Sequence, residues 1–136
     1  MPYDEVMNQE KEPAQSTSVG ELEAQVLAAL WDKGELATPE VFAEVGNQRG
    51  LAYTSIFPVL HRLHKKGLVA RRGEGKAHVY APTMSREQFS ERRGEFLAGA
   101  MVKLGDAGLS AFLLEAERLN PTFLAQLRAH LTDIDP

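Results

Sequence analysis

The sequence predicts a mainly α protein with a small β-hairpin, in the α+β class, and three observations support this. Apolar residues recur at helical spacing before residue 67 and again after residue 85. Between these regions lies a short stretch of alternating residues with two glycines, which is typical of a hairpin. The chain of 136 residues contains no cysteine, so we expect an apolar core without disulfides or thiolate-bound metal.

Two helices are expected before residue 50. Ser18 followed three residues later by Glu21 is a capping-box pattern, and an apolar stripe follows it as far as Gly34. Thr38 and Pro39 mark the start of the second helix. The Thr38 hydroxyl is the expected cap, and Pro39 takes the first helical position. The N–H that proline lacks is not needed at that position, because it has no partner within the helix.

The third helix contains a proline whose position predicts where the helix begins. Deep inside a helix, Pro58 would cost about 3 kcal/mol. We therefore expect regular helix to begin near Ser55, since Pro58 then takes the third helical position and its missing N–H is not needed. Strands are expected at residues 68–72 and 77–82, on either side of a GEGK turn. Three helices followed by a hairpin predict a winged helix-turn-helix domain over residues 18–83.

The last part of the chain, residues 84–136, is expected to be helical. Ser85 with Gln88 forms another capping-box pattern, Gly105 and Gly108 bracket a break, and Asn120 caps a further helix. These helices are too apolar to be exposed to solvent on all sides. We therefore expect a dimerisation region, with packing on the winged domain as the alternative. The residues expected at the dimer interface are Phe89, Phe96, Leu97, Met101, Leu104, Phe112, Leu113, Leu124 and Leu127.

Charge is distributed unevenly along the chain. Residues 49–82 carry seven bases and one acid (7 − 1 = +6), whereas the whole chain has a formal charge of −4. Residues 1–17 are polar, acidic and without periodicity, which predicts a disordered tail. A cationic helix and hairpin in an otherwise acidic protein predict a surface for a polyanion, so we expect double-stranded DNA as the partner.

Several other classes of protein are not expected. No run of 18 apolar residues and no basic, apolar start occurs, so neither a membrane span nor a signal peptide is predicted, and the expected location is cytoplasmic. No motif orders serine, histidine and aspartate for catalysis, which argues against an enzyme. His61 and His64 have metal-ligand spacing but no neighbouring carboxylate or cysteine, so no metal site and no cofactor are expected.

The exposed side chains near the start of the third helix are expected to reach base edges in the major groove. We expect Phe57 to meet a thymine methyl group, the alternative being that it packs on the second helix. Arg62 has two open interpretations, a phosphate contact or an ion pair within the fold with a carboxylate such as Glu40 or Glu44. The residues expected to contact DNA are Arg49, Tyr53, Thr54, Ser55, Phe57, His61, Arg62, Lys65, Arg72 and Lys76, the last at the hairpin tip.

The chain resembles the BlaI/MecI-type penicillinase-repressor family over residues 18–133. The segments that carry the resemblance are ELE (21–23), LW (30–31), LAYTS (51–55), LHRLHKKGL (60–68) and AHVYAP (77–82). The resemblance implies a homodimer that binds a dyad-symmetric operator and represses transcription. Some relatives are released when a sensor-protease pathway cuts an Asn-Phe pair, and release by that route is not expected here because this chain has no such pair.

Two alternatives remain open from the sequence. The segment SIFPVL (55–60) looks like the recognition helix of PadR-type repressors, where an aromatic-proline pair is usual. A winged helix that binds a protein instead of DNA is the alternative from another class, and a flat salt dependence of binding would favour it.

Overall fold

The computed structural model describes residues 17–73 and 78–134, and these form two compact units. Unit 1 extends to Arg93, and unit 2 begins at Gly94. The helices are α1 (Glu21–Lys33), α2 (Thr38–Val41), α3 (Ile56–Lys65), α4 (Arg86–Leu119) and α5 (Pro121–Asp133). The strands are β1 (Leu36–Ala37), β2 (Val69–Arg72) and β3 (Val79–Pro82). A π-helical turn, Phe42–Gly46, continues α2, and a 3-10 turn, Tyr53–Ser55, leads into α3. The predicted tail lies mostly outside the described residues, as does the hairpin tip with Lys76.

Unit 1 is a winged helix-turn-helix, as the sequence predicts. Its three-stranded antiparallel sheet has the order β1-β3-β2. The expected hairpin is present, and Arg72 is paired with Val79. The additional strand β1 pairs Leu36 with Tyr80. A two-residue strand is too short to show alternation in the sequence, which is why only two strands are predicted.

The core of unit 1 lies between α1, α3 and the sheet. The largest side chains with under 2% exposure are Leu27, Leu30, Ile56, Leu60, Leu63 and Leu68. Burial of a side chain of this size contributes about 1.5–3 kcal/mol, so these apolar residues supply the main stabilisation of unit 1. Trp31 extends the core to the start of α4: its ring lies 5.3 Å from that of Phe89, and its Nε1 donates to the Met84 carbonyl at 2.9 Å. Unit 1 therefore includes the first turns of α4 besides the expected domain of residues 18–83.

The starts of α1 and α2 differ in detail from the prediction. Gly20, not Ser18, caps α1, and the Glu23 carboxylate accepts from the Gly20 N–H at 2.8 Å. Ala37, not Thr38, caps α2, and Glu40 accepts from its N–H at 2.7 Å. In both helices an acid at the third helical position supplies the cap in place of a hydroxyl, so the acid is the informative residue of the pattern.

The starts of α3, α4 and α5 follow the prediction. Ser55 caps α3, and Pro58 is consequently its third residue. Ser85 and Gln88 form both bonds of a capping box, at 2.9 and 3.0 Å. Asn120 accepts from the Thr122 N–H at 3.1 Å at the start of α5. These local hydrogen bonds satisfy N–H groups that have no partner within their own helix.

Gly105 interrupts α4 with φ 70° and ψ −161°, a conformation that essentially only glycine adopts. The predicted break is therefore confirmed at this residue. Among the described residues, α4 alone is long and apolar enough to cross a bilayer by length and composition, since an 18-residue window within it has a mean hydropathy of 1.4. The sequence predicts no span, and the break inside α4 argues against one, because unpaired backbone groups are costly in hydrocarbon.

Candidate nucleic-acid interface

The exposed face of the third helix and its lead-in carries four of the residues expected at DNA. Thr54, Phe57, His61 and Lys65 are all exposed and recur at intervals of three or four residues. The buried residues of α3 occupy the opposite face, which includes Ile56 and packs in the core. The helix therefore presents one mixed polar, aromatic and cationic face to solvent. Ser55, at the N-cap of α3, is only half-exposed.

Phe57 belongs to a row of three aromatic rings. The Tyr53 ring lies 5.3 Å from the Phe42 ring and 5.3 Å from the Phe57 ring, with interplanar angles of 65° and 84°. Such edge-to-face contacts are favourable because the positive ring edge meets the negative ring face. Phe57 thus contacts Tyr53, and Tyr53 in turn contacts Phe42, in the turn that continues α2.

A buried carboxylate lies beneath the C-terminal end of α3. Glu23 is 5% exposed. Its oxygens accept from Lys66 Nζ at 3.0 and 3.1 Å and lie 3.4 Å from Arg62 Nε. Lys66 Nζ also donates to the Ser18 carbonyl at 2.8 Å. The end of α3 is therefore held on the start of α1 by ionic hydrogen bonds, which are the stronger class in proteins.

The protonation of Glu23 depends on these neighbours. Burial works to raise the pKa of its carboxyl, but the Gly20 N–H, the Lys66 ammonium and the Arg62 guanidinium together lower that pKa below its ordinary value of 4.5. Glu23 is consequently ionised at neutral pH and compensates positive charge at the end of α3. Arg62 thus lies beside a carboxylate, as one of its two interpretations expects, but this carboxylate is Glu23 and not Glu40 or Glu44.

The other arginines expected at DNA also have acidic or amide partners. Arg49 donates to Gln25 Oε1 at 2.8 Å and lies 3.9 Å from Glu21. Arg72 donates to Glu35 Oε2 at 2.8 Å. Because these pairs are exposed, each contributes at most about 1 kcal/mol to stability. They nevertheless reduce the local positive charge that the sequence alone suggests.

Lys65 differs from its neighbour Lys66. It is exposed at the end of α3, and no acidic partner lies beside it among the described residues. Its ammonium is therefore the best-placed cation of α3 for a phosphate. Lys76, the expected tip contact, belongs to the gap at residues 74–77 and lies outside the described residues.

The residue missed by sequence reasoning is Glu23. Its partners Arg62 and Lys66 lie about 40 residues further along the chain, and no local sequence pattern predicts such a contact.

The parts of the chain that the structure describes contain no cluster of three or more side chains that could bind a metal ion.

Eight of the nine residues expected at the dimer interface lie in unit 2. Phe89 is the exception, because it lies in unit 1 against Trp31. Phe96, Leu97, Leu104 and Phe112 are exposed, while Met101, Leu113, Leu124 and Leu127 are half-buried. No described residue of α5, and none of α4, is fully buried.

Within unit 2, the end of α4 and the start of α5 line an apolar groove of about 420 Å³. The Phe112 and Phe123 rings lie 6.2 Å apart beside it. Leu119 and Ala116 complete its apolar lining. Among its described residues, unit 2 thus combines exposed apolar side chains with no fully buried one, a pattern typical of interaction surfaces.

Comparison with known proteins identifies the family. The penicillinase repressor model matches residues 19–133. Two curated relatives, the transcriptional regulators BlaI of Mycobacterium tuberculosis strains CDC 1551 / Oshkosh and ATCC 25618 / H37Rv, are each 39% identical over 90 residues. Those alignments cover 65% of this chain, and the chain spans 60% of the length of each relative.

Among solved structures, the chain is similar to the solution structure of the DNA-binding domain of the repressor BlaI. The TM-score is 0.49 and the identity 26%, covering 54% of this chain and 90% of that one. The matched family consists of transcriptional repressors and not of enzymes. Since its model spans most of the sequence, the chain belongs to the penicillinase repressor family.

Proposed function

We propose that this protein represses transcription in the cytoplasm by binding a dyad-symmetric DNA operator as a homodimer. Each α3 enters the major groove, and the hairpin wing contacts the phosphate backbone. The observation that carries the proposal is the exposed face of Thr54, Phe57, His61 and Lys65 on a helix whose other face is buried in the core. Family membership supports the same function.

The dimensions and chemistry of α3 suit the major groove. The helix has ten residues and is about 15 Å long. The major groove is about 12 Å wide and accepts a single helix. Thr54 and His61 offer hydrogen-bonding groups to base edges, and Lys65 offers a charge to a phosphate. These features support base contact near the start of the helix and backbone contact at its end.

The homodimer is proposed from unit 2. Phe96 is 61% exposed, Leu104 is 59% exposed and Leu119 is 68% exposed, although such residues are normally covered. We propose a second copy of the chain as the occupant of this surface. Repressors with a helix-turn-helix read two half-sites about one DNA turn apart, and two-fold symmetry lets the same apolar patch serve both subunits.

Salt dependence tests the DNA proposal against the protein-partner alternative. The full chain is used to select duplexes from random DNA, and affinity for a selected duplex is measured over a range of salt concentrations. With about six phosphate contacts, log affinity against log salt should fall with a slope near −5. No selected sequence, or a flat salt response, would contradict DNA binding. A selected sequence with dyad symmetry would support binding by a two-fold symmetric homodimer.

The dimer is tested separately by Leu97→Asp, with Glu95→Gln as the control at an exposed polar neighbour on the same helix. Leu97 is 44% exposed in the described unit, and a carboxylate there would be buried in the proposed interface. Sedimentation should show monomers for Leu97→Asp and dimers for Glu95→Gln, with operator affinity lost only in the former. A persisting dimer would contradict the proposed interface.

A further inference from the structure

The largest exposed side chain on the face of α3 is apolar. Phe57 has 46% of its surface exposed, and its neighbour Pro58 is exposed as well. Tyr53, whose ring contacts that of Phe57, is also 38% exposed. The start of the face therefore carries a small contiguous apolar patch, which is a feature of contact surfaces.

The Phe57 ring is held in place by two further rings. Tyr53 contacts Phe57 edge-to-face at 5.3 Å, and Phe42 contacts Tyr53 at 5.3 Å. An aromatic side chain has only two torsion angles, and the contact with Tyr53 is already made in the free protein. Phe57 therefore loses little conformational entropy when it meets a ligand.

The base of this row is built into the core. Phe42 begins the π-helical turn that ends at Gly46, and such turns are frequent at functional sites. A Cβ at Gly46 would lie 2.7 Å from Phe42 Cδ1 and 3.2 Å from Ile56 Cδ1. Only glycine leaves room for the Phe42 ring here, and Ile56 is completely buried. The row of Phe42, Tyr53 and Phe57 thus begins at the packed interior and ends at the exposed face of α3.

We propose that Phe57 is a specificity-determining residue that reads the 5-methyl group of a thymine in each half-site. The inference rests on the proposed function and names what one residue of that interface recognises. In the major groove, thymine presents the only apolar group among the four bases. The other base edges present donors and acceptors, and a phenyl ring placed over them would leave these groups without partners.

The surroundings of Phe57 favour DNA over a protein as the ligand. Thr54 and His61 flank it on the same face, and Lys65 lies one turn beyond His61. An apolar docking patch for a protein helix would continue along the face with further apolar side chains. Here the exposed apolar side chains are confined to the start of the face, at Phe57 with Tyr53 and Pro58, and polar and cationic positions follow. This arrangement matches a thymine methyl group next to base edges and phosphates.

The test uses a duplex selected by the full chain from random DNA. Each thymine is replaced singly by deoxyuridine, which removes the methyl group and leaves base pairing unchanged. One position in each half-site should lose affinity about fourfold, the effect of uncovering one methyl-sized group. The other thymine positions should show little change. If no deoxyuridine replacement lowers affinity, the proposal is wrong.

A double-mutant cycle assigns the effect to Phe57. In Phe57→Ala and in Phe57→Gln, the thymine and deoxyuridine duplexes should bind equally well. Lys65→Ala is the matched control: it should weaken both duplexes alike and keep the fourfold ratio. Two different replacements are used because one of them could disturb folding. Circular dichroism of each variant would detect such a folding defect.

The outcomes separate this inference from the proposed function. A selected duplex that binds with a steep salt response but without sensitivity to the methyl group would overturn the role of Phe57 and leave the repressor proposal standing. A fourfold ratio that persists in both Phe57 variants would also overturn it. Failure to select any duplex would overturn both.

Discussion

Lys66 Nζ lies 3.0 Å from Glu23 Oε1, and this contact joins the end of α3 to the start of α1 across 43 residues of sequence. Arg62 lies against the same carboxylate, at 3.4 Å from Oε2. Glu23 side-chain exposure is only 7%, so the pair sits at the edge of the core and not on an open surface. The orientation of the proposed DNA-reading helix is therefore tied to an acid on another helix.

Replacement of Glu23 by alanine should destabilise the protein by about 2 kcal/mol, because a partly buried ammonium and the Gly20 N–H lose an ionic partner. The free energy of unfolding is measured by urea denaturation at neutral pH. Glu21→Ala is the matched control, since Glu21 is 79% exposed and lies 3.9 Å from Arg49. That control should change stability by less than about 0.5 kcal/mol. Equal losses in the two variants would contradict the structural role of Glu23.

The stabilisation by Glu23 should depend on pH. Its folded-state pKa is lowered below 4.5, so its contribution is fully present above the unfolded-state pKa and is lost as the pH falls through the folded value. At pH 7, the urea midpoint of the wild type should be higher than that of Glu23→Gln. The difference should shrink steadily below about pH 4.5. A difference that stays constant from pH 7 to pH 3 would show that the ionised carboxylate is not its source.

Lys65 and Lys66 should behave differently although they are adjacent. Lys65→Ala should leave stability unchanged and reduce the magnitude of the salt slope of DNA binding by about 1, as one phosphate contact is lost. Lys66→Ala should chiefly lower stability, since its ammonium is bonded to Glu23 and Ser18. Thermal melting and affinity at several salt concentrations distinguish the two effects. The opposite pattern would mean that the Glu23 contact does not determine the role of Lys66.

Gly46→Ala should destabilise the protein by about 1–3 kcal/mol, because the new methyl group overlaps the Phe42 ring and crowds Ile56. Gly94→Ala is the matched control, since a Cβ there meets nothing within 4 Å. Alanine is the better helix former, so this control should be neutral or slightly stabilising. Thermal unfolding of both variants measures the difference. A neutral Gly46→Ala would show that the turn accommodates a side chain and that Phe42 is not confined there.

Local rules account for the parts of the fold that could be predicted. The steric limit at Pro58 predicts where α3 begins, and the hydrogen bonds between Ser85 and Gln88 predict where α4 begins, because both act within three or four residues. The caps of α1 and α2 are mispredicted for the same reason: several acids and hydroxyls compete within one turn. Strand β1 is missed because its pairing with Tyr80 depends on a segment more than 40 residues away.

The sequence by itself determined the class of the fold, the helical stripes and the concentration of basic residues in one third of the chain, since periodicity and composition are properties of neighbouring residues. Only the tertiary structure decided which of those bases carry acidic partners. Arg72 meets Glu35 and Lys66 meets Glu23 through contacts that span 37 and 43 residues. It likewise decided that Phe57 ends a row of rings in edge-to-face contact. The physical reason is that a charge or a ring acts over a few ångströms, and distances of that kind between remote residues exist only after the helices have packed.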